Sequence, residues 1–328
     1  MEYSLFPLYA LIFMGTFFLT VGFERFLIPR LSSASQPIYE QGPNWHIKKQ
    51  GTPTMGGLAF LLSVSLNLLI CGIILFVTDY KDTAISIILI AFFSVLNASV
   101  GILDDVLKLR RKENAGLSPM QKIFLQFLLS ILFLMSRRYF FLDETSLSFS
   151  FGNMYLGILY YPFSIILLLG IINCANLSDG IDGLASCVAF SIGIVLFFIS
   201  YSAFTDVAIV SSALIAMAVG FLFFNLNPAK IFMGDTGSLF IGALVASTAF
   251  SLKNPSLIIP IGGVYVIEGI SVILQVIVFK ITKKRIFKMA PLHHHMEKCG
   301  FSENKICIIA MIATLLLSLP VLYLIKLK

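Results

Sequence analysis

Apolar runs of about 20 residues recur from one end of this chain to the other, separated by short polar connections, and that length suits an α-helix crossing a hydrocarbon core. The recurrence excludes a soluble globule before any single residue is considered. The runs predict helices over 3–28, 54–78, 84–103, 119–137, 157–176, 183–201, 207–225, 237–252, 257–281 and 304–325. Composition agrees: 58% hydrophobic and 12% charged residues in a chain of 328, with mean hydropathy +0.94, leave too little polar surface to cover a water-soluble body. The expected fold is an all-α polytopic membrane protein of about ten transmembrane helices, forming one integral membrane domain over 1–328 without a soluble appendage.

The first apolar run lacks the basic start and small-residue cleavage site of a signal peptide, and Arg25 and Arg30 follow it, so it is expected to remain as a helix that begins outside. The connections near 29–53, 104–118, 177–182, 226–236 and 282–303 then share one side. Seventeen Lys and Arg lie in or beside them, Lys48, Lys112 and Lys230 among them. Six lie on the other side: Lys81, Arg137, Arg138, Lys253, Lys326 and Lys328. Positive charge is retained in cytoplasmic connections, so these five are expected to face the cytoplasm and both termini to lie outside. The net charge of +6 is thereby a matter of orientation and not of nucleic-acid binding. The cysteines (Cys71, Cys174, Cys187, Cys299, Cys307) are odd in number and scattered, and read as buried thiols. On the outer side, Leu147, Phe149 and Phe151 alternate with serines before Gly152-Asn153, which reads as a small periplasmic β-hairpin on the membrane surface. No internal repeat of the transporter kind is visible.

Five aspartates reach one membrane depth. Asp104-Asp105 ends the third span, Asp179 and Asp182 sit in NLSDGIDG after the fifth, and Asp235 sits in FMGDTGS after the seventh. Acids near hydrocarbon are costly, and the connections at 177–182 and 226–236 offer only Lys230 as a counter-charge, so solvation of helix ends is a poor account of all five. An oxygen-rich site suits Mg2+, which binds through one or two carboxylates together with substrate phosphates. Gly180, Gly183, Gly234 and Gly237 flank the acids and permit tight turns whose N–H groups approach phosphate oxygens, although a glycine-flanked aspartate is also an ordinary turn.

Two further connections carry polar motifs. HIKKQGTPTMGG at 46–57 enters the second span through Pro53, with Lys49 and Thr54 offering a charge and a hydroxyl, or serving only as orientation lysine and helix start. KMAPLHHHME follows a basic stretch with consecutive His293, His294 and His295, which point about 100° apart on a helix and are unsuited to one shared metal. They read as partners for phosphate or sugar oxygens, or for one another; His295 with Cys299 at i, i+4 offers a zinc alternative that lacks further soft ligands. Glu268, within the ninth span and near Gln275, is either functional or a hydrogen-bonded structural acid.

Taken in order, GTPTMGG at 51–57, GILDD at 101–105, NCANLSDGIDGLA at 173–185, NPAKIFMGDTGSL at 227–239 and APLHHHME at 290–297 resemble the phospho-N-acetylmuramoyl-pentapeptide transferase family of bacterial peptidoglycan synthesis. The paired aspartates and the NxxDGxDG segment are shared with the wider polyprenyl-phosphate N-acetylhexosamine-1-phosphate transferase superfamily, whereas GTPTMGG and PLHHHxE favour the muramoyl branch. The resemblance implies transfer of phospho-MurNAc-pentapeptide from UDP-MurNAc-pentapeptide to undecaprenyl phosphate, giving lipid I and UMP with Mg2+. It also implies ten transmembrane helices, a homodimer and a place in the bacterial inner membrane. Asp104, Asp105 and Asp235 match the family's catalytic aspartates, with Asp235 and Asp105 as magnesium ligands, and His294 lies in its histidine motif. Lys49, Thr54, Asn176, Asp179, Gly180, Asp182, Asn225, Phe232, Gly234, Gln275, His293 and His295 match positions lining its nucleotide pocket, where Phe232 would stack on uracil. Ser178 stands where threonine is common and Met296 where an aromatic is common; neither removes a charge or donor.

The site is therefore expected in the connections near 46–57, 104–122, 176–182, 225–238 and 282–303. The expected chemistry is direct attack of the lipid phosphate on the β-phosphorus, Asp104 orienting it or taking its residual proton, with a covalent aspartyl-phosphate as the rival route. Lys122, at the start of the fourth span, is expected either to meet the lipid phosphate or merely to orient the helix. Two other functions are to be weighed: a sibling enzyme transferring GlcNAc-1-phosphate, and an ion-coupled transporter, whose charges should lie near the midplane.

Overall fold

The computed structural model describes residues 5–32, 34, 49–111, 115–142 and 145–325. Lys48, Lys112, Lys326 and Lys328 of the charge tally, residues 46–48 of the first motif and 3–4 of the first expected helix lie outside the described residues.

All ten apolar runs are helical. Helix α1 is Phe6–Arg30, α2 Gly57–Val77, α3 Lys81–Arg111 and α4 Pro119–Phe141. After a hairpin of β1 (Ser146–Phe149) and β2 (Gly152–Tyr155) come α5 (Tyr160–Leu177), α6 (Leu184–Ser200) and α7 (Thr205–Asn225). The chain closes with α8 (Gly234–Thr248), α9 (Ile258–Ile261), α10 (Gly263–Thr282), α11 (Leu292–Lys298), α12 (Glu303–Ser318) and α13 (Val321–Leu324). Among the described residues, nine helical segments are long and apolar enough to cross a membrane; α6, at 17 residues, is the shorter tenth.

Several boundaries differ from the sequence reading, the start of α2, the end of α4 and the division of the last run before α13 among them. Helix α3 runs 31 residues, ~46 Å at 1.5 Å per residue, so Asp104 and Asp105 sit inside it and not at its end. The ninth run divides at Gly262 into α9 and α10, beside Pro260, which lacks the N–H a continuous helix would use. Helix α8 begins at Gly234, three residues earlier than expected, because its first turn is capped by a carboxylate from α3.

The packing is concentric. Every residue from Thr236 to Leu252 is buried, so α8 and its short 3-10 continuation form the axis, with α3, α5 and α2 flanking α8 and α7 meeting the continuation. Exposed Leu, Ile and Phe lie on the outer faces of α1, α2, α4, α10 and α12, as expected where lipid takes the place of water. Small residues let the inner backbones close: a side chain at Gly57 would overlap Gly237, and one at Gly101 would overlap the Asp235 carbonyl.

The hairpin pairs Ser146 with Tyr155 through Phe149 with Gly152, so its two-residue loop is Ser150-Phe151, just ahead of Gly152-Asn153. It is held by Ser148 N–H donating to the Lys253 carbonyl at 3.3 Å and by Asn254 Nδ2 donating to the Ser148 carbonyl at 3.0 Å. Nearby, Ser251 at the far end of the axis meets Ser86 (3.0 Å) and Arg137 (3.3 Å), and Ser86 donates to Asp206 at 2.5 Å. The described residues of the five connections carrying the motifs gather at the opposite end.

Candidate active site

Three carboxylates converge where α3 crosses the start of α8. Each of Asp104, Asp105 and Asp235 offers an oxygen, and these lie within 4.8 Å of one another, the one such acidic or metal-ligating group among the described residues. The approach depends on Gly101, one turn before Asp105, which leaves no side chain between the two backbones. Asp105 is fully buried and caps α8: it accepts from Asp235 N–H at 3.2 Å, Thr236 N–H at 2.9 Å and the Thr236 hydroxyl at 2.7 Å. A carboxylate there is favoured by the unpaired N–H groups and positive end of the helix.

Like charges this close require cations. Lys108, one turn after Asp104, lies 2.6 Å from Asp104 and 3.3 Å from Asp235; Lys122, from the first turn of α4, lies 3.1 Å and 2.5 Å from the same pair. The other oxygen of Asp104 accepts from Leu117 N–H at 2.7 Å, drawing the 115–118 loop across the site. Asn176 donates to Asp235 at 3.1 Å and to Ser238 at 2.8 Å, tying the end of α5 to α8. The counter-charge for the acids thus comes from Lys108, Lys122 and Lys49, and not from Lys230, which is exposed.

The segment 53–57 forms the adjoining wall. Phe232 N–H donates to the Pro53 carbonyl (2.8 Å), Gly56 N–H to the Phe232 carbonyl (2.9 Å) and Gly57 N–H to the Met233 carbonyl (3.0 Å). Gly234, at φ +73°, turns the chain into α8; a side chain on it would meet Asp105 at 2.7 Å and the Thr54 hydroxyl at 3.0 Å. Thr54 and Gly234 therefore border the carboxylates, and the half-buried Phe232 belongs to this wall through its backbone.

The 179–183 turn is the next wall. Asp182 is buried and accepts from Lys49 Nζ (2.6 Å), Asn227 Nδ2 (3.0 Å) and Ala229 N–H (3.1 Å), while its own N–H donates to Glu303 at 2.7 Å. Asn225 has both ends of its amide engaged, by Gly183 N–H at 3.0 Å and the Ile231 carbonyl at 2.9 Å. Asp179 differs: it is half-buried, and its carboxylate makes no hydrogen bond or ion pair among the described residues. Burial, then the charges of Asp235, Asp105 and Asp182, push its carboxyl well above the usual range, with Lys49 opposing.

The histidines divide by role. His293 is buried, its Nδ1 3.1 Å from Glu268, and its other ring nitrogen, which has no hydrogen-bond partner among the described residues, faces Gly180 so closely that any side chain at Gly180 would overlap it. His294 meets Glu297 at 2.6 Å. His295 accepts Lys288 N–H at 3.1 Å and lies 3.8 Å from Cys299, which is exposed at the end of α11 and so departs from the expectation of buried thiols. Gln275 accepts from Ile286 and Phe287 N–H at 3.1 and 3.0 Å, holding that loop with its own carbonyl.

The structure thus joins Asp104, Asp105, Asp235, Asn176, Lys122, Thr54 and Gly234 directly, and links Lys49, Asp182 and the 179–183 turn to His293 through Gly180. Asp182, Asn225 and Gln275 meet the protein's own backbone, and Asp182 also Lys49, so in this structure each also holds its part of the site wall together. Lys108 and Glu303 were missed. The i, i+4 spacing from Asp104 could have revealed Lys108; Glu303 carries no local signal, since its partners are 121 and 254 residues away.

Known proteins are similar to this chain over most of its length. Residues 85–253 match the model of glycosyl transferase family 4, and residues 49–61 match signature 1 of phospho-N-acetylmuramoyl-pentapeptide-transferase. The phospho-N-acetylmuramoyl-pentapeptide-transferase of Clostridium botulinum (strain Alaska E43 / Type E3) is 43% identical over 286 residues, 86% of this chain and 85% of that protein. Those of Caldicellulosiruptor bescii and Halalkalibacterium halodurans are 42% identical over 294 residues (89% of each chain) and 41% identical over 318 residues (94% of this chain, 95% of the relative). At 41–43% identity to these relatives over most of its length, the chain belongs to the phospho-N-acetylmuramoyl-pentapeptide-transferase family.

Proposed function

We propose that this protein transfers phospho-MurNAc-pentapeptide from UDP-MurNAc-pentapeptide to undecaprenyl phosphate, releasing UMP and forming lipid I, at the cytoplasmic face of the bacterial cell membrane and as a homodimer. The observation that carries the reading is the meeting of Asp104, Asp105 and Asp235 under Lys108 and Lys122 where α3 crosses α8. A transporter would place such charges near the midplane of broken helices; here they sit near the end of α3 and in the first turn of α8. The match over 49–61 favours the muramoyl branch over a GlcNAc-1-phosphate transferase.

The donor set fits magnesium, because it consists of carboxylate oxygens without soft ligands. Asp235 and Asp105 would hold the ion, which when bound supplies charge neutralisation for the diphosphate and its leaving group. The rest is carried by the chain's own residues. Lys108 and Lys122 exchange carboxylate partners for phosphate oxygens as substrates arrive, drawing two anionic groups together. Asp104, fixed by Leu117 N–H, orients the lipid phosphate and accepts any residual proton. One oxygen of that phosphate forms the new bond to the β-phosphorus, and the bond from that phosphorus to the bridging oxygen of UMP breaks. Because the nucleophile is largely ionised near pH 7, positioning outweighs base catalysis. Asp179, Thr54 and Phe232 face the nucleotide.

Purified protein incubated with both substrates and Mg2+ is expected to release UMP, and to stop when EDTA is added. Absence of magnesium-dependent UMP release defeats the proposal. Faster turnover of UDP-GlcNAc than of UDP-MurNAc-pentapeptide in direct competition would transfer it to the sibling activity.

A further inference from the structure

Glu303 opens α12, where an acid in the first turn has an ordinary explanation in the helix dipole. Its contacts go further. Glu303 Oε2 accepts from Lys49 Nζ at 2.7 Å and from Asp182 N–H at 2.7 Å, while Lys49 also reaches Asp182 at 2.6 Å. The three groups close a ring whose members come from the connection before α2, the turn before α6 and the start of α12. The carboxylates are 3% and 11% exposed, and their hydrogen bonds from the Lys49 ammonium are charge-assisted.

The neighbouring N–H tells the same story. Gly183 N–H donates to Asn225, so consecutive backbone groups of the 179–183 turn are fixed by side chains from two other elements. Cys307, one turn along α12 from Glu303, donates to the Asp182 carbonyl at 3.3 Å. What the fixed turn presents is Asp179, whose carboxylate the described residues leave unengaged, and Gly180 against His293.

We infer that Glu303 is a positioning residue for the nucleotide half of the donor, holding Lys49 and the 179–183 turn as one piece. The inference rests on the reading of the donor as a uridine diphosphate sugar. Lys49 has two ammonium hydrogens engaged by the ring and one left to meet a phosphate, so loss of Glu303 frees the lysine to wander and the turn to tilt.

The test uses the full-length protein in detergent, with UDP binding measured by calorimetry beside steady-state turnover. Glu303→Gln keeps an acceptor for Asp182 N–H and removes the charge. It is expected to weaken UDP binding and raise the donor KM about tenfold, with kcat within about threefold and the polyprenyl phosphate KM unchanged. Glu303→Asp should recover much of the loss, and serves as the assayed variant if Glu303→Gln does not fold. Lys49→Gln combined with Glu303→Gln should cost less than the two changes added together.

Unchanged UDP affinity overturns the inference, as does a fall in unfolding temperature without a change in UDP affinity, which would leave Glu303 as a helix-start acid only. A fall in kcat at constant donor KM overturns it also. If wild-type protein binds UDP but releases no UMP, the proposed transfer fails while the affinity ratio still decides the role of Glu303; wild-type protein that binds no UDP defeats both.

Discussion

Single side chains in this site are either committed to the protein or held ready for something else, and the distinction decides what their replacement should do. Asp104 is committed on one oxygen to Leu117 N–H and faces Lys108 and Lys122 with the other. Asp104→Asn keeps the first contact and loses the second. Turnover at saturating polyprenyl phosphate should fall about 100-fold, measured as UMP release; unchanged turnover removes Asp104 from the reaction. Lys122→Ala should raise the KM for polyprenyl phosphate while the affinity for UDP-sugar holds, and equal loss of both would reduce Lys122 to a counter-charge for Asp235.

Asp179 carries the opposite expectation for stability. Its folded carboxyl titrates above its unfolded one, so the native state binds that proton more tightly, and stability declines as pH rises from the unfolded value through the folded one. Asp179→Asn should therefore raise the unfolding temperature at neutral pH by a few degrees, with the gain vanishing in acid, while donor affinity drops. A variant no more stable than wild type at neutral pH contradicts the assignment. The motif residues were legible in the sequence as acids at one membrane depth and through their resemblance to the family's motifs. Their commitments were not: that Asp182 and Asn225 face inward depends on Glu303, Lys49 and backbone groups distant in the chain.

At the level of elements, the apolar runs announced every membrane-crossing helix, since hydrocarbon demands uninterrupted backbone pairing, but not the short polar α11. At the end of α3, polar residues were read as a helix end. Asp104, Asp105 and Lys108 continue α3 because Asp104 pairs with Lys108 one turn on, a local pattern, and Asp105 meets the first turn of α8, which no local pattern reveals. The crossing of α3 on α8 hinges on Gly101. Gly101→Ala would press a methyl into the Asp235 carbonyl, and the expected cost of about 1–3 kcal/mol should appear as lower unfolding temperature together with lost activity, since the same movement parts the carboxylates. Full activity in that variant would mean that the contact is looser than described.

For the whole molecule, orientation is the open physical variable with a direct readout. Cys299 is exposed on the connection that also bears Lys283, Lys284, Arg285, Lys288 and Lys298, whereas Cys71, Cys187 and Cys307 are buried and Cys174 is half-buried. A membrane-impermeant maleimide should label Cys299 in inside-out vesicles and not in intact cells; the reverse pattern would turn the site outward.

The burial of α8 and its continuation from Thr236 to Leu252 has one more consequence. A helix enclosed on all sides has no lipid to absorb a change in side-chain volume, while α1, α4, α10 and α12 present one face to a fluid solvent. Saturation mutagenesis scored by growth should thus draw concentric rings of tolerance, with the axis nearly intolerant and the rim permissive to any apolar exchange. Resistance to an inhibitor bound at the carboxylates would then arise among the surrounding turns and seldom along the axis itself.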